Sequence, residues 1–112
     1  MKNRREPPAV LLGSLEEQVM LAVVRTGDGA YGMNVRRELE TVTGRDITIG
    51  SVYATLDRLE AKGLVASVRT AASDTASRRV FGVTAAGARA LTQTRATRER
   101  LWMGVNLNRG IM

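Results

Sequence analysis

The chain has 112 residues, with 17 lysines and arginines against 11 aspartates and glutamates, giving a formal net charge of +6. One small domain fits that length; 44% hydrophobic content argues for a folded core, and 4% aromatic content leaves the core to aliphatic side chains. The basic excess points to nucleic acid or another polyanion as partner, while the absence of cysteine and histidine excludes disulfides, Ser-His and Cys-His catalysis and the usual structural zinc sites.

Residues 1–10 read as a flexible basic arm broken by Pro7 and Pro8. Helix one starts near Ser14, where Ser14-Leu15-Glu16-Glu17 has the capping-box arrangement, with the serine serving the Glu17 amide and the Glu17 carboxylate reaching back. Leu15, Val19, Ala22 and Val23 form its buried stripe, and Thr26-Gly27-Asp28-Gly29 breaks it. A second helix runs from about Tyr31, with Tyr31, Val35, Leu39 and Val42 on one face, until Gly44. Arg36 and Arg37 read as a solvated face, because Glu40 offers Arg36 a partner at i+4.

The short link to Thr48, whose hydroxyl can cap a third helix, is typical of helix-turn-helix units. In that helix Val52, Leu56 and Leu59 make the apolar stripe, and Ser51, Thr55, Arg58 and Lys62 are expected on the opposite side. Gly63 ends it. Leu64–Thr70 and Val80–Thr84 then read as the strands of a hairpin with an exposed tip at Ala71–Ser77, carrying the pair Arg78 and Arg79. Helix, glycine stop, strand, polar loop and strand are the parts of a winged helix. The expected fold is α+β, mainly α: three helices and a two-stranded wing over residues 11–84.

Thr84 caps a last helix expected to run over residues 85–105, too long to be covered by so small a domain. Ala88, Leu91, Arg95, Arg98, Trp102 and Val105 form an approximate seam for a second subunit, and residues 106–112 read as a frayed tail. No apolar run approaches 18 residues, so a cytoplasmic protein without a membrane segment is expected.

Tyr31-Gly32, Gly50-Ser51-Val52-Tyr53, Leu56, Arg58-Leu59-Glu60, Gly63-Leu64-Val65, Arg78-Arg79 and Thr84-Ala85-Ala86-Gly87, in that order, resemble the PadR family of transcriptional regulators. Ile49, Ala54 and Val80-Phe81 depart from its pattern. The resemblance implies a winged-helix homodimer of the compact subgroup, held by a single C-terminal helix and without enzymatic activity or cofactor. A repressor on a pseudo-palindromic operator is the expected function; the alternative is an architectural or protein-interaction module without sequence readout.

For the DNA-binding surface the candidates are Thr48, Ser51, Tyr53, Thr55, Arg58, Lys62, Arg78 and Arg79. Tyr53 has two readings, a ring packed between helices or a hydroxyl on a phosphate. Arg78 and Arg79 point to opposite strand faces, so at most one packs its stem on the sheet. Leu91, Arg98, Trp102 and Val105 are the candidates for the dimer or effector interface. Trp102 reads as an aromatic anchor between subunits or, by resemblance, as a platform for a small, flat hydrophobic effector.

Overall fold

The computed structural model describes residues 10–71 and 77–111. Helices α1 (Ser14–Thr26), α2 (Gly32–Thr43) and α3 (Ile49–Ala61) come first, then strands β1 (Val65–Ala71) and β2 (Ser77–Val83), then α4 (Ala85–Trp102) and the single turn α5 (Leu107–Gly110). This is the expected mainly helical winged helix. The sequence placed the hairpin tip at 71–77; residues 72–76 lie outside the described residues.

Several boundaries differ from expectation. The N-cap of α1 is Gly13 rather than Ser14, and Glu16 rather than Glu17 reaches back, its Oε1 accepting from Gly13 N at 3.0 Å. The Glu17 amide donates to the Gly13 carbonyl at 2.9 Å, and with Glu16 taking the capping role the Glu17 carboxylate pairs elsewhere. Val42 is exposed, not part of the buried stripe of α2, because it lines an open groove with Leu21 between α1 and α2. β2 begins at Ser77 rather than Val80, so both arginines lie inside the ladder. The last long helix stops at Trp102, and part of the expected frayed tail forms α5. Val105 therefore lies beyond α4, between the two helices.

The turn between α2 and α3 is held by side chains. Arg36 Nε donates to the Ile47 carbonyl at 2.8 Å and to Glu40 Oε2 at 3.3 Å, and the same carboxylate oxygen accepts from Ile47 N at 3.0 Å. Thus Arg36 and Glu40 form a clasp on the helix-turn-helix link rather than a solvated pair. The Ile47 amide, then Arg36, hold the Glu40 carboxyl below its usual range despite some desolvation. Thr48 caps α3 as expected, its Oγ1 accepting from Ser51 N at 3.0 Å.

At the other end of α3 the chain leaves through a Schellman motif. Gly63, at φ 78°, lets its N–H reach the Glu60 carbonyl at 2.9 Å and that of Leu64 reach Leu59 at 2.9 Å. Buried Leu59 and Leu64 supply the apolar contact that accompanies this turn, and the chain is aimed directly into β1.

β1 and β2 pair antiparallel, with Val65 opposite Val83, Ser67 opposite Phe81 and Arg69 opposite Arg79. Phe81 N also donates to the Ala30 carbonyl at 2.8 Å, so the segment before α2 acts as a third strand for one hydrogen bond. That bond anchors the wing to the helical layer. The core is continuous across both, with Val19, Met20, Val35, Val52, Leu56, Leu59, Val65 and Phe81 buried together.

α4 packs its first turns on this core. Gly87 lies against the Leu64 carbonyl, Met20 and Val83, leaving no room for a β-carbon. Farther along, buried Thr94 accepts from Leu12 N at 3.0 Å and donates to the Val10 carbonyl at 3.4 Å, tying the segment before α1 to α4. Among the described residues no helix is long and apolar enough to cross a membrane.

Candidate nucleic-acid interface

The outward stripe of α3 is not quite the one expected. Gly50, Ala54, Asp57 and Ala61, spaced by four, three and four, are all exposed, opposite Val52, Thr55, Leu56 and Leu59. Thr55, expected to face DNA, is 1% exposed. It stands three residues after Val52 and four before Leu59, which puts it on the buried stripe, so it cannot read bases. The outward ridge of α3 is instead smooth apart from Asp57, its small residues Gly50, Ala54 and Ala61 leaving the helix backbone open to close approach.

Basic and polar groups flank that ridge on the α1 side. Ser51 is exposed and shares its hydroxyl with Thr48 at 3.0 Å. Lys62 Nζ donates to Glu16 Oε2 at 2.8 Å, and Arg58 Nε lies 3.9 Å from the same oxygen. The bond from Lys62, then that from the Gly13 amide, keep the Glu16 carboxyl below its ordinary range against the effect of burial. Arg58 and Lys62 thus have a partner in α1 that the sequence does not reveal, although about half of each side chain remains exposed.

On the wing side the two arginines separate. Arg78 is exposed, and its guanidinium carbon sits 4.4 Å from the centroid of the Tyr31 ring, a cation–π arrangement that orders the side chain without neutralising it. Arg79 faces α3. Its Nη1 donates to Asp57 Oδ1 at 3.1 Å and its Nη2 to Glu60 Oε1 at 2.6 Å, while the guanidinium carbon lies 4.8 Å from the Phe81 ring centroid. Burial opposes its charge, but the bonds to Asp57 and Glu60 prevail and make it harder to deprotonate than an ordinary arginine. Expected as one of a DNA-facing pair, Arg79 is engaged within the chain.

Between α2, α3 and the wing lies an open cleft of about 370 Å³ lined by Tyr31, Met33, Arg37, Tyr53, Arg69, Arg78 and Arg79. The Tyr53 ring rests on Gly32, where any β-carbon would meet it, so its ring packs and its edge lines the cleft. Both readings of Tyr53 are thus compatible with its place. Concave, basic and bordered by an ordered arginine, the cleft suits an anionic group such as phosphate.

The four candidates for a dimer interface fall into two groups. Leu91 is half-buried against the chain's own core, and Arg98 Nη1 donates to both carboxylate oxygens of Glu17, at 2.7 and 2.6 Å. That bond raises the Arg98 pKa. These two hold α4 to α1 within one chain. Trp102 is 59% exposed and Val105 is also exposed, beside Leu101, Met103, Leu107 and Ile111. Among the described residues nothing covers this apolar end.

A family model for the transcriptional regulator PadR-like family matches residues 20–93, from within α1 to within α4. The chain belongs to the PadR-like family. Similar solved structures include a PadR family transcriptional regulator from Eggerthella lenta DSM 2243, 28% identical, with a TM-score of 0.64 over 80% of this chain and 82% of that one. A PadR-like transcription factor from Bacteroides fragilis is 22% identical, with a TM-score of 0.69 over 78% of this chain and 82% of that one. A PadR family transcription regulator from Clostridium difficile R20291 is 19% identical, with a TM-score of 0.61 over 80% and 88%. No curated protein matches the chain.

The PadR-like family fixes the chain as a transcription regulator with a DNA-binding winged helix, not an enzyme. Three features of this PadR-like surface escape the sequence. Tyr31 and Arg37 join the wing arginines only through the fold, because Arg36 and Arg37, adjacent in sequence, point about 100° apart on α2. Asp57 sits on the outward stripe of α3, where a bare carboxylate would repel phosphate. Its pairing with Arg79 offsets that repulsion.

Proposed function

We propose that the protein is a homodimeric cytoplasmic repressor reading a pseudo-palindromic operator. In this reading α3 enters the major groove, its Gly50-Ala54-Ala61 ridge allowing close approach, while Ser51 and Arg58 reach base edges and Thr48 and Lys62 lie near the backbone. Tyr53 and Arg78 take a phosphate beside the wing. The observation that carries the reading is the exposed, ring-braced Arg78 at the mouth of a basic cleft next to the outward face of α3. Convex helix and concave basic cleft are adjacent, which suits a groove and the phosphate ridge beside it.

Homodimer formation rests on the apolar end of α4. Trp102 and Met103, 59% and 76% exposed, leave apolar area that a second copy buries. Two-fold symmetry then sets two α3 helices about one helical turn of DNA apart. A small, flat hydrophobic effector stacking on Trp102 alters the spacing of the two halves and releases the operator, provided that it binds one spacing more tightly.

Selection of bound sequences from random duplex DNA at defined salt tests the central claim. Enrichment of an inverted repeat is expected; a uniform output would replace the operator with the architectural reading. For the effector, Trp102 fluorescence is titrated with a panel of planar cationic aromatics, and absence of quenching throughout would remove that part.

A further inference from the structure

Wing and recognition helix are joined by one polar network. Arg79 on β2 forks onto Asp57 and Glu60 of α3, at 3.1 and 2.6 Å, and Ser67 on β1 donates to the other oxygen of Glu60 at 2.8 Å. Asp57 and Glu60 stand one helical turn apart, so the planar guanidinium fixes both the distance and the roll of the hairpin relative to α3. Phe81, next but one along β2, is buried and carries the Arg79 guanidinium over its ring. Arg79 is 27% exposed, less than either of its neighbours Arg58 and Lys62 across α3.

We propose that Arg79 is a positioning residue: with Asp57, Glu60 and Ser67 it sets the inclination of the wing against the recognition helix, so that Arg78 and α3 meet adjacent parts of one DNA site. The inference rests on the reading of the chain as an operator-binding regulator. Three observations support it beyond the geometry. Arg69 stands directly opposite Arg79 in the ladder, a like-charge pairing that the hairpin alone disfavours. On the Arg79 side, the bonds to two α3 carboxylates oppose that cost and tie this charge of the wing to the helix. Asp57, exposed on the α3 ridge, is acceptable beside phosphate only while Arg79 holds it. Beyond the network, the Phe81–Ala30 bond at 2.8 Å tethers the base of the wing and leaves the tip end to Arg79.

Glu60→Gln gives a test whose sign discriminates. Removing a negative charge beside DNA, with no other consequence, tightens binding; loosening the wing weakens it. The expected result is about tenfold weaker operator binding by Glu60→Gln at constant salt. Unchanged or tighter binding overturns the proposal. A second arm uses the DNA-free full chain: residual dipolar couplings of the β1 and β2 amides relative to those of α3, for Glu60→Gln and Arg79→Gln. A changed hairpin orientation, with α1 to α3 couplings preserved, is expected, and an unchanged orientation overturns the proposal. If selection yields no operator, the repressor reading fails by itself, while the dipolar couplings still decide whether Arg79 sets the wing.

Discussion

Arg78 and Arg79, neighbours in the chain, illustrate how a residue's task depends on the face it occupies. Strand alternation turns Arg79 onto the α3 carboxylates and Arg78 onto the Tyr31 ring, which orders it without cancelling its charge. Arg78→Gln is therefore expected to lower the slope of log affinity against log salt by about one, the loss of one phosphate contact. A titration of operator binding across salt concentrations measures it, and an unchanged slope would take Arg78 off the backbone. Two glycines carry a second prediction. At Gly32 a β-carbon meets the far end of the Tyr53 side chain, which can swing; at Gly87 it meets the Leu64 carbonyl, which Thr84 N already holds at 3.1 Å. Gly32→Ala should cost about 1–3 kcal/mol. Gly87→Ala should cost more, because backbone must move, and urea denaturation of both variants would reveal a reversed order.

At the scale of elements, the ends set by a nearby capping residue at Thr48, Gly63 and Thr84 are legible, whereas the start of α1, the end of α4 and the lateral faces are not. Thr48, Gly63 and Thr84 were readable because capping depends on residues within four positions. Thr84 has a double duty: its Oγ1 accepts from Gly87 N at 3.0 Å and donates to the Gly63 carbonyl at 2.8 Å, joining the start of α4 to the end of α3. Thr84→Ala is expected to destabilise the fold by about 1 kcal/mol, with Thr84→Ser restoring most of it, as read by thermal melting. The α1 cap lies one residue before the expected one because Ser14-x-x-Glu17 and Gly13-x-x-Glu16 overlap, and Glu17 is instead paired with Arg98 of α4. Thr55 is buried although its hydroxyl suits an outward face, because its spacing sets it on the apolar stripe. Its place between Val52 and Leu59 was a usable signal.

For the whole molecule, the arrangement of charge is the feature with a pH consequence. Glu16, Glu40 and Glu60 each have a lowered folded pKa, through Lys62, the Ile47 amide and Ser67 respectively as the leading partners. For a carboxyl whose folded value lies below its unfolded one, the stabilisation is complete above the unfolded value of about 4.3 and is lost as pH falls through the folded value. Acid unfolding is therefore expected to begin below about pH 4. Glu16→Gln should flatten that dependence, as followed by circular dichroism against pH; an undiminished acid transition would shift the responsibility to other carboxylates. These pairs also join α1 to α3, α2 to its own turn and the wing to α3, so acid should loosen the surface between α3 and the wing together with the fold.

The sequence by itself determined the order from α1 to α4 and the winged-helix class, because periodicity, caps and glycine stops are local and survive without knowledge of neighbours, and its ordered motifs carried the resemblance to the PadR family. It also placed Trp102 on a helix that the domain does not cover. Only the tertiary structure decided which charges remain available outside. Glu16 and Lys62 lie 46 positions apart, Glu17 and Arg98 81, and Asp57 and Arg79 22. No local pattern pairs such residues. Electrostatic partners are chosen by distance in space, and for that reason Arg79 and Arg98 moved from the surface roles that their sequence suggested to the internal bracing of the fold.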